Sequence, residues 1–234
     1  NEEGYIVFGA YEQDGDESNG PEPIEWEILE ENGKGTFLVS RYVLDAQSYN
    51  REKAQVTWES CTLRSWLNDE FLNKAFTSGE QARIRSTEVV NLDNPKNGYI
   101  GGNSTRDRVF MLSVDEVISH YNFNSWYDEP QAGCSQELII SPTAYAKQQG
   151  VIGFEIDEEY YNGSADKGWR GLISDNYSRD CIGLECAEWW LRSPTGNSYT
   201  ACVVINYGCV SWGNVHFYIN DSSVGLRPAL YIDQ

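Results

Sequence analysis

The chain has 234 residues and a formal net charge of −19, because 36 Asp and Glu outnumber 17 Lys and Arg. A field of this sign repels phosphate backbones and anionic lipids, which argues against nucleic-acid binding and against docking on anionic membranes. No apolar stretch approaches the roughly 18 residues of a membrane-spanning helix, so we expect no membrane insertion of this chain. With 40% hydrophobic and 13% aromatic residues, the composition is that of an ordinary globular chain, and its length fits one large domain or two small ones. The order of the predicted elements, without a repeat or a linker, indicates one α+β domain over residues 1–234.

The first forty residues show the pattern of short strands. Apolar or alternating segments at 5–9, 25–29 and 36–40 predict three strands, and Asn32-Gly33 is typical of a hairpin turn between the last two. We therefore predict that the domain begins with a small antiparallel sheet.

A loop rich in acidic residues separates the first two predicted strands. Asp14, Asp16 and Ser18, followed by Glu22 and Glu25, offer oxygen ligands at the close spacing that calcium prefers. The turn glycine comes one position later than in a helix-flanked calcium loop, and strands flank this loop instead. A solvated acidic turn is the alternative to a calcium site, and calcium is the one cofactor that the sequence suggests.

Four helices are predicted in the central part of the chain. Apolar residues at helical spacing predict the longest one over residues 63–76. Capping-box patterns predict helices at 78–84 and 114–121, and a fourth helix follows Pro142 and ends at Gly150. These helices alternate with long polar segments.

Three of those segments are predicted to be loop insertions, because they are rich in Asn, Gly, Ser and Asp: residues 91–106, 121–136 and 153–187. The last quarter of the chain returns to a β pattern punctuated by Gly and Asn. The predicted strands there cover residues 188–193, 200–205, 209–212, 215–219 and 226–232.

Six segments carry a family resemblance. They are YEQD at 11–14, GPEPIEW at 20–26, VTWESCTLRSWLN at 56–68, VFMLS at 109–113, WWLRSP at 189–194 and GLRPAL at 225–230. In this order they resemble a bacterial domain-of-unknown-function family, number 6273. Its members are commonly found in exported or cell-envelope proteins, so the resemblance implies an extracellular or envelope-anchored location. The start at Asn1 rather than Met fits a removed leader or a piece of a longer protein.

The closing residues 188–232 carry a second resemblance. A Trp-rich strand, a hairpin with a central Gly and a last strand with Gly-x-Arg are similar to C-type-lectin-like domains and formylglycine-generating enzymes. This implies short twisted antiparallel sheets flanked by two main helices, with long loops on one side. Alternation sends Trp189 and Trp190 to opposite faces, one into the core and the other under the loops. Trp190, Arg192 and Arg227 are predicted to be structural, with the arginines bonding loop carbonyls or a buried carboxylate.

The six cysteines are an even number, which suits an exported domain with disulfides, whereas buried free thiols are the alternative. Cys181 and Cys186 resemble the copper-binding pair of formylglycine-generating enzymes. They could equally form a local disulfide or be two unrelated thiols. The residues that calcium-dependent lectins use for sugar are not matched in the required order.

Aromatic side chains in the long loops and final hairpins indicate a binding surface more clearly than the cysteines do. Trp and Tyr supply rigid contact area at small entropic cost. The predicted ligand-binding residues are Trp126, Trp169, Tyr177, Tyr207, Trp212 and Asn214. We expect an exported, non-catalytic domain that recognises a glycan or a partner protein. The alternatives are an oxidase that uses Cys181 and Cys186, and a structural spacer of a larger surface protein.

Overall fold

The computed structural model describes residues 4–121, 135–162, 178–195, 199–211 and 217–233. Within these ranges the chain is α+β, as predicted, with two five-stranded sheets, two two-stranded sheets and six short α-helices. No helix in these ranges has the length and apolar character needed to cross a membrane.

The strands are short, and most have six residues or fewer. They are β1 (Tyr5–Tyr11), β2 (Glu22–Asn32), β3 (Gly35–Ser40), β4 (Asp45–Ala46), β5 (Thr87–Val89), β6 (Thr105–Asp107), β7 (Val109–Met111), β8 (Gly153–Glu155), β9 (Glu185–Ala187), β10 (Trp189–Pro194), β11 (Ala201–Val204), β12 (Val210–Ser211), β13 (Gly225–Leu226) and β14 (Pro228–Ile232). The helices are α1 (Thr62–Trp66), α2 (Leu72–Ala75), α3 (Ser78–Arg83), α4 (Val114–His120), α5 (Ala144–Gln149) and α6 (Glu158–Asn162).

The first five-stranded sheet has the order β1-β2-β3-β14-β7, and all its neighbours are antiparallel. The predicted hairpin between β2 and β3 is present. On one face of this sheet the rings of Phe37 and Tyr231 stack with centroids 4.5 Å apart, and Phe110 stacks beside them. These rings form an apolar floor between the sheet and the elements above it.

The second five-stranded sheet has the order β12-β11-β10-β13-β4, and β13 runs parallel to β10. Trp189 and Trp190 follow one another on β10, so their side chains point to opposite faces. Both are fully buried, which means that both faces of this sheet are covered at β10. The indole N–H of Trp190 donates to the carbonyl of Gln47, 3.0 Å away.

The chain crosses from one sheet to the other at Arg227. A single strand was predicted over residues 226–232, and this is wrong, because Gly225 and Leu226 pair in the second sheet while Pro228–Ile232 pairs in the first. The crossing fits Pro228, which has no N–H to continue a ladder.

The predicted helix at 63–76 is confirmed as a helical segment from Thr62 to Ala75, with a π-helical turn at Leu67–Phe71 between α1 and α2. Its apolar face enters the core. The cap predicted for the next helix, Ser78, is wrong by one residue. The cap is Thr77, because Thr77 and Glu80 exchange the two bonds of a capping box.

The capping box of α4 and the glycine stop of α5 were predicted correctly. Ser113 accepts from the backbone N–H of Glu116, and the Glu116 carboxylate accepts from the N–H of Ser113. The helix α5 ends at Gly150, whose φ of 122° is unfavourable for other residues. The sequence therefore fixes these two helices locally.

Two of the predicted loop insertions contain regular structure. The segment 91–106 runs into β6, and the segment 153–187 holds α6 and the antiparallel pair β8–β9. Strands of three residues show too little alternation to be recognised from sequence. The insertion at 121–136 lies almost wholly outside the described residues. The buried hydrophobic side chains of both large sheets belong to one core cluster, which includes Trp26, Trp58 and Trp66.

Candidate functional site

Most of the predicted ligand-binding residues cannot be placed. Trp126, Trp169, Tyr177, Trp212 and Asn214 lie outside the described residues. Tyr207 is described, and its half-buried side chain packs against the core cluster. The prediction of these six residues as a binding set stays a prediction, and the described part of the chain offers a different set of exposed aromatics.

Two exposed tyrosines lie on neighbouring segments next to β11. Thr200 forms an antiparallel bridge with Tyr218, and the N–H of Ile219 donates to the carbonyl of Tyr199 at 3.0 Å. The side chains of Tyr199 and Tyr218 are 40% and 47% exposed. The backbone thus holds two tyrosine rings at the surface on two segments that are bonded to each other.

Lys53 links these two rings. Its Nζ lies 3.8 Å from the ring centroid of Tyr218 and 5.7 Å from that of Tyr199. An ammonium over a tyrosine face is attracted by the ring quadrupole by about 0.5–1 kcal/mol at an exposed site. The segment before Lys53 is bonded to the segment that carries Tyr218, because the N–H of Asn50 donates to the carbonyl of Ile219 at 2.7 Å. The three side chains are therefore held together by both backbone and side-chain contacts.

A third exposed segment is anchored to the same end of the second sheet. The side chain of Asn94 is buried and donates to the carbonyl of Pro194, the last residue of β10, at 2.6 Å. The N–H of Asn94 donates to the carbonyl of Tyr99 at 2.8 Å, so the buried anchor holds the exposed loop. In this loop Tyr99 and Ile100 are 44% and 73% exposed. We call Lys53, Tyr99, Ile100, Tyr199 and Tyr218 together the aromatic end.

In the acidic loop, the predicted calcium ligands were Asp14, Asp16, Ser18 and Glu25, and the structure groups the carboxylates differently. Glu25 forms an ion pair with Arg41 at 2.7 Å. It lies three residues along β2 from Glu22, which places the two side chains on opposite faces of the strand. Asp16 accepts from Ser18 within a tight turn.

Among the described residues, the carboxylates of Glu12, Asp14 and Glu22 come within 4.8 Å of one another. Their oxygens already accept hydrogen bonds from the loop itself. Glu22 accepts from the N–H of Gln13 at 2.7 Å, Asp14 from the N–H of Asp16 at 2.7 Å, and Glu12 from the N–H of Gly15 at 2.8 Å. This pattern is that of a self-bonded acidic turn.

Arg192 and Arg227 lie in the interior with nearly every donor used. The guanidinium of Arg192 donates to the carbonyls of Met111 and Val90 and makes a two-pronged ion pair with Glu116. Its Nε–H is buried and has no acceptor among the described residues.

Arg227 donates to three different elements. Its partners are the carbonyl of Ser40 at 2.8 Å, the hydroxyl of Tyr121 at 3.0 Å and the carboxylate of Glu27 at 2.6 Å. The side chain is 1% exposed, so it ties the end of β3, the end of α4 and the middle of β2 together from inside.

A family model described as Domain of unknown function (DUF6273) matches residues 33–234. The chain belongs to this family. No curated protein and no solved structure matches the chain. Membership of the DUF6273 family therefore assigns no activity to the chain.

The five cysteines of this DUF6273 domain that the structure describes are of two kinds, bonded and free. Cys209 is disulfide-bonded, whereas Cys61, Cys181, Cys186 and Cys202 are buried free thiols. Burial raises the pKa of Cys186 to about 12 and also raises that of Cys181. A nucleophilic or copper-binding cysteine needs its thiolate, and these environments disfavour it.

Within the described residues, neither the histidines nor the carboxylates of Glu158 and Glu185 form a constellation for catalysis. His120 ends α4 and packs edge-on against Phe37, while His216 lies outside the described ranges. Glu185 pairs with Lys147 at 2.7 Å, and Glu158 pairs with Arg179 at 2.5 Å. These carboxylates act as surface ion pairs.

None of the five residues of the aromatic end was among the predicted ligand-binding residues. A single lysine seven residues after a two-residue strand has no local signal that it lies over two tyrosines. The contact depends on the pairing of distant segments, and the sequence contains no periodicity that reports it.

Proposed function

We propose that this domain is a non-catalytic, exported ligand-binding domain of C-type-lectin-like architecture, and that the aromatic end contacts a glycan or a partner protein. The observation that carries the proposal is the exposed cluster of Lys53, Tyr199 and Tyr218, with both rings beside one ammonium group. Exposed tyrosines that are held by a rigid backbone offer contact area without a large entropic cost.

The chemistry of the aromatic end suits a ligand with both apolar and polar groups. Tyr99, Tyr199 and Tyr218 present ring faces with hydroxyls, Ile100 adds an aliphatic side chain, and Lys53 adds hydrogen-bond donors. Side chains of this kind dominate the binding energy of many interfaces when water is excluded from them. The aromatic end therefore fits the flat faces and hydroxyls of a sugar, or a mixed patch on a protein.

An extracellular or envelope location is part of the proposal. Cys209 is disulfide-bonded, and disulfides persist in oxidising compartments such as the cell exterior and the periplasm. The raised pKa values of Cys181 and Cys186 count against the alternative of a thiolate-dependent oxidase.

The test is a binding experiment on the 234-residue chain with a soluble glycan panel and with purified envelope proteins of its source. The double variant Tyr199→Ala, Tyr218→Ala should bind the ligand at least about tenfold more weakly, the loss expected when two anchor side chains are truncated. Tyr5→Ala is the matched control, since Tyr5 lies on β1 beneath Arg41. Calcium and EDTA are compared in parallel.

Two outcomes contradict the proposal. If the double variant binds a ligand of the wild-type chain with unchanged affinity, the aromatic end is not the contact surface. If neither the glycans nor the proteins bind the wild-type chain, the domain is better explained as a structural spacer. Thermal unfolding of all variants verifies that the comparison is made on folded protein.

A further inference from the structure

A second candidate site, apart from the aromatic end, lies above the ring-covered face of the first sheet. It is a cleft with a volume of about 200 Å³ between β5, the start of α4 and the sheet. Phe110 and Tyr231 form its apolar floor, and Val89 and Val90 line one side. A cavity of about 150 Å³ holds one benzene ring, so this cleft has room for one ring with a short polar extension.

The charges of the cleft are not balanced by the protein. Asp115 and Glu88 line it, and neither carboxylate has an ion pair within the described residues. The buried cation Arg192 is already engaged by both oxygens of Glu116. Lys34 stands exposed at the rim. Five charged side chains line the cleft, three acidic and two basic, so its net charge is negative, within a chain of net charge −19.

Asp115 is the carboxylate whose ionised form a cationic ligand would stabilise most. It is half-buried, and burial raises its pKa above the usual value for aspartate. Arg192, which is already paired with Glu116, lowers this pKa only in part, so the carboxylate keeps a desolvation cost that a positive charge placed beside it would offset. The cleft thus places a carboxylate that a ligand cation can stabilise next to an aromatic floor.

One buried donor at the cleft is also unsatisfied. Arg192 lines the cleft and is 4% exposed, and its Nε–H has no acceptor among the described residues. An unsatisfied buried donor costs about 1–3 kcal/mol, and a neutral oxygen from a ligand would supply the acceptor with a small adjustment of the side chain. A ligand carboxylate suits the site less well, because Glu88, Asp115 and Glu116 would repel it.

We propose that this cleft binds a small organic cation that combines an ammonium group, a neutral carbonyl oxygen and one apolar side chain, as at the N-terminal residue of a peptide. The ammonium group lies beside Asp115, the carbonyl oxygen faces Arg192, and the apolar side chain packs on Phe110 and Tyr231. The proposal does not depend on the aromatic end, which lies on other segments of the chain.

Three probes that share one phenylethylamine skeleton separate the parts of this proposal in calorimetric titrations of the 234-residue chain. L-phenylalaninamide carries all three groups, 2-phenylethylamine lacks the carbonyl, and N-acetyl-L-phenylalaninamide lacks the charge. Saturable binding is expected for L-phenylalaninamide. Each of the other two should bind at least about tenfold more weakly, the ratio expected when one charge-assisted hydrogen bond is lost.

Asp115→Asn removes the proposed counter-charge while keeping the shape of the side chain, and it should weaken L-phenylalaninamide binding at least about tenfold. Glu159→Gln is the matched control, because Glu159 is an exposed acid in the first turn of α6 and does not line the cleft. This control separates a local effect from the loss of one unit of net charge. Val90→Trp, which fills the cleft from its exposed side, should abolish binding.

The proposal is overturned if L-phenylalaninamide shows no saturable binding up to about 10 mM, which corresponds to a binding free energy weaker than about −3 kcal/mol. It is equally overturned if Asp115→Asn binds as the wild type does, or if the uncharged probe binds as tightly as L-phenylalaninamide. Equal binding of 2-phenylethylamine contradicts the role of Arg192. A melt of each variant shows whether it is folded.

Discussion

Glu188 follows β9 directly, and its side chain is half-buried. Burial, together with the negative charge of Asp221, raises the pKa of its carboxyl from 4.5 to about 7. In the unfolded chain the same group ionises near pH 4.5, so the folded domain retains the proton over a pH range in which the unfolded chain has lost it. Its contribution to stability is therefore fully present below about pH 4.5 and is lost as the pH rises to about 7.

We predict that Glu188→Gln removes this part of the pH dependence. The free energy of unfolding of the variant, relative to wild type, should rise between pH 4.5 and 7.5 by at most about 3 kcal/mol, since each pKa unit corresponds to about 1.4 kcal/mol. Urea titrations at several pH values measure this difference. Glu31→Gln, at an exposed position on β2, is the control and should show no such rise. A pH-independent difference for Glu188→Gln would contradict the assignment.

At the scale of secondary-structure elements, the buried Arg227 at the crossing between the two large sheets ties three elements together. Arg227 separates β13 from β14 and donates to the end of β3, to Tyr121 and to Glu27 on β2. Removing a partner from a buried ion pair leaves an uncompensated charge inside the protein. The loss at such a position is much larger than the loss of a surface pair.

We predict that Arg227→Met lowers the free energy of unfolding by about 3–5 kcal/mol. Arg179→Met, which breaks the exposed pair with Glu158, should change it by less than about 1 kcal/mol. Chemical unfolding followed by tryptophan fluorescence compares the two variants on one scale. Similar losses for both would show that the buried contacts of Arg227 contribute no more than a surface ion pair does, and an Arg227→Met variant that is unfolded at all denaturant concentrations agrees with the prediction.

The same elements show how far the sequence predicts the fold. Helices α4 and α5 were predicted because the cap at Ser113, Pro142 and the stop at Gly150 are local signals. The break at Arg227 was not predicted: Arg227 and Pro228 interrupt the apolar pattern between Leu226 and Ala229, but only the choice of distant partners assigns the two sides to different sheets. The candidate sites were not predicted for the same reason. The aromatic end and the cleft are assembled from segments far apart in the chain.

At the scale of the whole molecule, the net charge of −19 acts against the compact state, because like charges are brought closer together on folding. Salt screens this repulsion, and the screening length falls from about 30 Å at 0.01 M to about 8 Å at 0.15 M. We predict that the Tm rises over this range of ionic strength. Scanning calorimetry in sodium chloride and in choline chloride tests it, and the two salts should act alike. A constant or falling Tm would show that surface ion pairs outweigh the repulsion.

The crossing of the chain between its two sheets also determines when the domain can fold. Residues 225–232 supply β13 beside β10 and β14 between β3 and β7, so both large sheets need strands from the part of the chain that the ribosome makes late. Until then β3 and β7 lack their common neighbour, and their unpaired edges are open to wrong partners. The two complete sheets can therefore form only after this segment has been synthesised.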